Sequence, residues 1–368
     1  DGTNTTTPGQ VVSTWSDKSP NGYEATTAGE FDPPVFTDRL INFNPAVNFD
    51  GANDGLNLDS NYIFSDNNGL SVMAILLPGG GTATPFVVDF GQHAHESYGV
   101  VYDNSRYVIN ALTGGGGTLL SKTHTRGGAP TLFHSEIEFG EYIRAFLDGS
   151  PHDSVALGNI QLTAAEINAA PVHGTFSGPL SIGRQSKDAS LSGRLYRGDI
   201  AELLIYDNKL STADIRKIES YFAIKYGLTL PYSYVASNGS IIWDQAAMSA
   251  YHNDVAGIGR DDVSELSQLQ SSSQNQGAIV TMGLGNIAID NAAHGGSFSA
   301  DKSFMVWGNN GNAATLATHF GEYADSILQR VWQVKETGTV GTMEVSVPTS
   351  LGVNIILINN SDLSLIHI

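Results

Sequence analysis

A chain of 368 residues, 41% of them hydrophobic, is long enough for two domains with real cores and too apolar to be disordered. Its 37 acidic residues against 18 basic ones leave a net charge of −19, which repels phosphate backbones and anionic lipid and argues against nucleic acid as a partner. The absence of Cys excludes disulfides, thiolate catalysis and Cys-based zinc sites, and no apolar run is long enough to span a bilayer as a helix.

Short apolar runs broken by Gly, Asn, Asp and Pro predict many strands joined by turns. In chain order the first half predicts strands at 46–49, 70–77, 84–90, 98–102, 107–111, 131–139, 142–147, 180–182 and 199–206. Asp50-Gly51, Asn68-Gly69, the Gly114 to Gly117 run and Asp148-Gly149 supply turns between them. This spacing predicts an all-β fold, an antiparallel β-sandwich of the jelly-roll kind. A single helix closes it. Ser211 and Asp214 form its capping box, Ile215, Ile218, Tyr221 and Phe222 share a face, and Gly227 ends it ahead of Pro231.

The first domain is therefore placed at residues 1–230. A second, smaller β domain follows at 232–360, with strands at 240–243, 277–282, 303–307, 327–335, 341–347 and 353–358 and a short helical turn at 246–251. Its Trp243, Trp307 and Trp332 sit amid alternating apolar residues and read as core rather than sugar-stacking platforms.

Three stretches of the first half resemble the bacterial branch of the laminin-G-like, concanavalin-A-like lectin/glucanase superfamily. They are Trp15-Ser16-Asp17-Lys18-Ser19-Pro20-Asn21-Gly22-Tyr23, then Val47-Asn48-Phe49-Asp50-Gly51-Ala52-Asn53-Asp54-Gly55-Leu56, then Gly198-Asp199-Ile200-Ala201-Glu202-Leu203-Leu204-Ile205-Tyr206 with the helix that follows. The resemblance implies a β-sandwich over about 11–230, with a family first strand missing ahead of Asp1. In the second half, Val255-Ala256-Gly257-Ile258-Gly259-Arg260-Asp261-Asp262, Gln268-Leu269-Gln270-Ser271, Val306-Trp307-Gly308 and Arg330-Val331-Trp332 resemble an uncharacterised domain of large secreted or surface-anchored bacterial proteins. That likeness implies an extracellular or cell-surface location and no chemistry. Residues 361–368 fit neither pattern, and Ser364-Leu365-Ile366-His367-Ile368 resembles translated sequencing-adapter read-through.

Four constellations could carry chemistry. Glu136, Glu138 and Glu141 are similar to the three-carboxylate strand of laminarinase-like glycoside hydrolases, with Glu where the family has its central Asp. Residues two apart share a strand face, and a Gly bulge could turn the third carboxylate inward. The competing reading makes 139–141 a hairpin turn and the carboxylates a solvated outer face. Asp50, Asn53 and Asp54 crowd one loop, where they serve either as oxygen ligands to Ca²⁺ or as Asx-turn residues satisfying their own backbone; Asp17 and Asn21 invite the same pair of readings. His93, His95 and Glu96 suggest a metal pair without a third ligand, and His124, His134, His152 and His173 are scattered. Arg197-Gly198-Asp199 spells an integrin-binding tripeptide, but it opens an apolar strand. The Gly283-Leu284-Gly285 and Gly114 to Gly117 runs lack the residues a phosphate loop needs, and no G-x-S-x-G elbow exists.

Three functions compete. The leading expectation is a non-catalytic binding module for a glycan or a cell-surface protein, with calcium assistance. The second is a glycoside hydrolase using Glu136, Glu138 and Glu141. The third is a structural spacer in a surface protein.

Overall fold

The computed structural model describes residues 7–27, 31–58, 69–79, 86–92, 96–103, 106–113, 116–123, 128–138, 141–156, 180–184, 194–318, 326–348 and 365–366. The fold is all-β with one α-helix among the described residues, and the chain divides into two compact units, the first made of Asp1–Asp38 and Pro45–Leu210, the second of Arg39–Asn44 and Ser211–Ile368. The helix that the sequence places at the end of the first domain thus counts with the second unit.

The strands of the first half are β1 (Thr14–Ser16), β2 (Glu24–Thr26), β3 (Val35–Ile41), β4 (Asn44–Asp50), β5 (Leu56–Leu58), β6 (Gly69–Pro78), β7 (Phe86–Gln92) and β8 (Glu96–Asp103). There follow β9 (Arg106–Thr113), β10 (Gly116–Thr123), β11 (Thr131–Glu138), β12 (Tyr142–Leu147), β13 (Ser150–Ala156), β14 (Leu180–Ile182) and β15 (Arg197–Tyr206). They form an eight-stranded sheet in the order β1-β2-β5-β14-β7-β8-β9-β10 and a seven-stranded sheet in the order β13-β12-β11-β6-β15-β4-β3.

Alternation fixes which side chains these sheets bury together. Leu56, Val88, Phe90, Leu180 and Ile182 of the eight-stranded sheet share one core cluster with Leu70, Val72, Ala74, Leu76, Phe133 and Ile137 of the seven-stranded one. That is the antiparallel sandwich the two-residue rhythm predicts. The Asp148-Gly149 turn joins β12 to β13 with both residues at positive φ, as a two-residue type I′ turn requires. Gly183 is needed for a different reason: a Cβ there would lie 2.3 Å from the ring of Phe49.

The second unit holds α1 (Thr212–Tyr226) and then β16 (Tyr234–Val235), β17 (Ile241–Trp243), β18 (Asn253–Asp261), β19 (Leu266–Gln268), β20 (Gln270–Ser272) and β21 (Thr281–Leu284). The remaining strands are β22 (Ser303–Asn309), β23 (Leu316–Thr318), β24 (Ser326–Leu328), β25 (Trp332–Thr337), β26 (Met343–Ser346) and β27 (Leu365–Ile366). A five-stranded sheet, β19-β18-β22-β25-β27, carries the core, in which Trp307 and Trp332 pack with Ile258, Met282 and Phe298. β27, from the stretch that fits neither sequence resemblance, pairs Leu365 and Ile366 with Gln333 and Trp332.

Helix α1 begins and ends where its caps say. Ser211 Oγ accepts the N–H of Asp214 at 3.1 Å, and Gly227 sits in the left-handed region at φ 64°. Its buried side differs from the expected face: Glu219, Ser220, Phe222, Ala223, Ile224 and Tyr226 are buried, whereas Ile215, Ile218 and Tyr221 are only partly so. The last two turns are enclosed on more than one side, which a single-stripe reading does not capture. Two strand expectations also shift. The 327–335 run is split by a break at 329–331 into β24 and β25, and the 277–282 strand starts only at Thr281. The 353–358 strand lies outside the described residues.

Candidate functional site

The most site-like feature of the first unit crosses three strands. Asn57 of β5, Ser181 of β14 and Asp89 of β7 are direct register partners. Their neighbours Leu56, Leu180, Ile182, Val88 and Phe90 all point into the core, so alternation puts Asn57, Ser181 and Asp89 on the other face of the eight-stranded sheet. Ser181 Oγ donates to Asn57 Oδ1 at 2.8 Å. Asn57 Nδ2 is shielded from solvent and finds no acceptor among the described residues. Asp89 and Ser181 are buried, and Asn57 is partly exposed. The register continues from Asp89 through Gly99 of β8 to Asn110 of β9. Buried polar groups are normally saturated, so a row of them on the face turned away from the core is a feature with a cost. Sequence reasoning missed it. The signal was present as an apolar-polar-apolar triplet in each strand, Leu56-Asn57-Leu58, Leu180-Ser181-Ile182 and Val88-Asp89-Phe90.

The three glutamates stand on the other sheet. Glu136 and Glu138 share the face of β11 opposite the core residues Phe133 and Ile137. Glu136 is buried and faces Arg144 directly across the pair with β12, at 3.5 Å. Glu138 accepts from Lys209 Nζ at 2.6 Å. That hydrogen bond holds the Glu138 carboxyl below its usual range and pushes Lys209 up to about 12. Both cations also sit over the Tyr142 ring, Arg144 at 3.7 Å and Lys209 at 5.0 Å from its centre. Glu141 does not join them. It is exposed, lies in the turn between β11 and β12, and donates its N–H to Glu138 O at 3.0 Å. The hairpin reading of 139–141 therefore describes Glu141, while the solvated-face reading fails for Glu136, which is buried.

The acidic loop after β4 is held by its own backbone. Asp50 Oδ1 accepts the N–H groups of Ala52 at 2.7 Å and Asn53 at 3.2 Å, and Asp54 Oδ2 accepts that of Asp50 at 2.7 Å. Asn53 reaches Asp32 through its side-chain amide. Burial, reinforced by the charges of Asp50 and Asp32, raises the Asp54 carboxyl from 3.8 to about 6. Asp17 behaves likewise, accepting from Ser19 and Tyr23 within its own turn. Among the described residues, no group of three or more His, Asp or Glu side chains is placed to hold a metal ion. His93, His95, His124 and His173 lie outside the described residues. His134 is buried and stacks on Phe146 at 5.0 Å. Asp199 of the Arg-Gly-Asp tripeptide is within β15, bonded to Asn48 Nδ2 at 2.8 Å, with burial raising its carboxyl.

In the second unit the quoted motifs resolve into structural roles. Gly257 lets β18 meet α1, since a Cβ there would lie 2.7 Å from Ile224 Cδ1, and a Cβ on Gly259 would lie 2.3 Å from the Phe304 ring. Arg260 grips Asp262 through two nitrogens, at 2.7 and 3.0 Å. Buried Asp261 accepts from Ser237 and Lys302, both at 2.7 Å, and these bonds outweigh its burial and lower its carboxyl. Trp243, Trp307 and Trp332 are all buried, as core residues should be. The Trp243 indole donates to His252 Nδ1 at 2.9 Å, so the imidazole proton sits on Nε2, 2.7 Å from Leu230 O.

Comparison with known proteins adds a family and several structures. The model of a family described as "Domain of unknown function (DUF8202)" matches residues 214–366, a span that begins within α1 and so agrees with the division of the units. No curated protein matches the chain. Among solved structures, the chain is similar to domain 4 of AbnA, an extracellular arabinanase of Geobacillus stearothermophilus, in complex with arabinotriose, at 15% identity and a TM-score of 0.39, over 56% of this chain and 96% of that one. It is also similar to the CBM40 of the Ruminococcus gnavus IT-sialidase bound to α2,3-sialyllactose, at 9% identity and a TM-score of 0.33, over 40% and 80% of the two chains. The NanB sialidase of Streptococcus pneumoniae is a third, at 8% identity and a TM-score of 0.38, over 81% of this chain and 38% of that one. No helix among the described residues is long and apolar enough to cross a membrane.

Proposed function

We propose that the first unit is a non-catalytic binding module of a secreted or surface-anchored bacterial protein, and that its ligand is a glycan. The observation that carries this reading is the in-register row Asn57–Ser181–Asp89. It places an amide donor with no acceptor among the described residues, a hydroxyl and a carboxylate on one face, a mixture that suits a hydroxyl-rich ligand; because Asn57 Nδ2, Ser181 and Asp89 are shielded from solvent, such a ligand enters by displacing what covers them. Glycoside hydrolysis needs two carboxylates flanking the bond to be cut. The row has one, Asp89, while Glu136 and Glu138 are side by side on a single strand and each faces a cation. The surface location rests on the motif resemblances of both halves.

A glycan array probed with the whole chain tests the proposal. Binding to a defined saccharide class that weakens at least about tenfold in Asn57→Ala and survives in Glu138→Gln supports it. A blank array on folded protein, or release of reducing sugar from a β-glucan that depends on Glu136, removes it. The calcium-assisted form needs Asp50, Asn53 and Asp54 to give up the backbone N–H groups that Asp50 and Asp54 now accept. A melting temperature raised by calcium but not by magnesium, with the effect lost in Asp54→Asn, supports that form, and an unchanged melting temperature removes it.

A further inference from the structure

The second unit draws one of its pieces from far upstream in the chain. Arg39–Asn44 belongs to it, outside the span 214–366 that matches the family. The turn residues Asn42 and Phe43 both have positive φ, 48° and 65°, so the two side chains flanking Phe43 are set to reach the same neighbour. That neighbour is the end of α1, where carbonyls lack helical partners and carry the negative end of the helix dipole. Asn42 Nδ2 donates to Lys225 O at 3.0 Å and to Ser271 Oγ at 2.9 Å, and its Oδ1 accepts the N–H of Ser272 at 2.8 Å. Asn44 Nδ2 donates to the same Lys225 O at 2.8 Å and to Gln268 Oε1 at 3.1 Å. Gln268 Nε2 returns a bond to Asn42 O at 3.1 Å, and Phe43 O accepts the N–H of Asn291 at 3.1 Å. Asn42, Asn44, Gln268 and Ser271 are all buried. Gly227 leaves the room: a Cβ on it would lie 2.2 Å from Ser272 O and 3.2 Å from Asn42 Cγ.

We propose that the surface made by the C-terminal end of α1 and residues 268–272 is a receptor for an asparagine-bearing β-turn, with Arg39–Asn44 as its resident occupant. The segment 214–366 does not complete its fold without that occupant. Each asparagine offers both donor and acceptor, and the site uses donors toward the helix carbonyl and an acceptor toward Ser272 N–H; neither Asp nor an apolar residue supplies that pattern. Because Asn42, Asn44, Gln268 and Ser271 are buried, removing the amides takes from Lys225 O, Gln268 Oε1 and Ser272 N–H the partners these two side chains supply.

Hydrogen exchange on the full chain tests this. In the Asn42→Ala/Asn44→Ala variant, peptides covering 219–228 and 266–274 are expected to lose at least about tenfold in protection while β6 in the first unit keeps its own. Asn44→Ala alone, which retains the three bonds of Asn42, is expected to lose less in the same peptides. Phe43→Ala keeps the carbonyl that Asn291 uses and is expected to leave them unchanged. Native-like protection in the double variant overturns the proposal. So does a Phe43→Ala variant that loosens the same peptides as much as the double variant, because the turn would then be held by packing rather than by its amides.

Discussion

Asp54 accepts the backbone N–H of Asp50 at 2.7 Å while its own carboxyl is driven by burial to a pKa of about 6. One bond favours the charged form and the surroundings favour the neutral one. Because the folded pKa lies above the unfolded value of 3.8, the folded state holds its proton more tightly between these limits. The group's contribution is thus most favourable below pH 3.8 and is lost as pH rises through 6, a difference of about 3 kcal/mol. Asp54→Asn keeps an acceptor for Asp50 and abolishes the charge. It is expected to melt above the native protein at pH 7.5 in calcium-free buffer and to converge with it at pH 4, read by circular dichroism.

His252 has the opposite sign. Burial lowers its pKa from 6.5, against the hydrogen bond to Leu230, so the folded second unit holds the ring neutral. Acid protonates the unfolded chain first, and stability present above pH 6.5 is lost as pH falls below it. Protonation also removes the lone pair that accepts from Trp243. Tryptophan fluorescence of the second unit is expected to report a lower denaturant midpoint at pH 5.5 than at pH 7.5, and His252→Leu is expected to cost about 1–3 kcal/mol at pH 7.5 by stranding Trp243 Nε1 and Leu230 O, and less at pH 5.5, where the native ring already costs stability.

Gly259→Ala sets a methyl against the Phe304 ring between paired strands that are both buried. A cost of about 1–3 kcal/mol is expected from overpacking, measured by urea unfolding, with the sandwich transition unmoved. An unchanged midpoint would mean that Phe304 can turn aside.

Lys209→Met removes the cation from Glu138 and from one side of the Tyr142 ring. The pair is partly exposed, so the expected loss is under about 1 kcal/mol. Glu136→Ala exposes the contrast: the carboxylate is buried, and losing it is expected to cost more than losing Lys209 does, by the same unfolding measurement.

What the sequence disclosed depended on how local each signal was. Ser211 and Gly227 bound α1 from within five residues of either end, and Asp148-Gly149 names its own hairpin, so both were readable. The turn at Asn42-Phe43 has the same backbone and no glycine, so turn chemistry passed over it. The strand Asn253–Asp261 was noticed only as a motif, because Gly257 and Gly259 look like turn residues until Ile224 and Phe304 are seen against them. Glu136, Glu138 and Glu141 were legible as a pattern, but the cations that Glu136 and Glu138 face, Arg144 and Lys209, are partners that only the fold brings alongside. The row of Asn57, Ser181 and Asp89 was least legible of all, since its members come from three strands scattered along the chain and nothing local ties one to another.

That row also has a direction. Hydrogen-bonded strands stand roughly 4.7–4.9 Å apart, so Asn57, Ser181 and Asp89 mark out steps of that pitch at right angles to the chain. The glycan proposed above would then lie across the grain of the sheet, selected by the period of its own repeat as much as by its substituents.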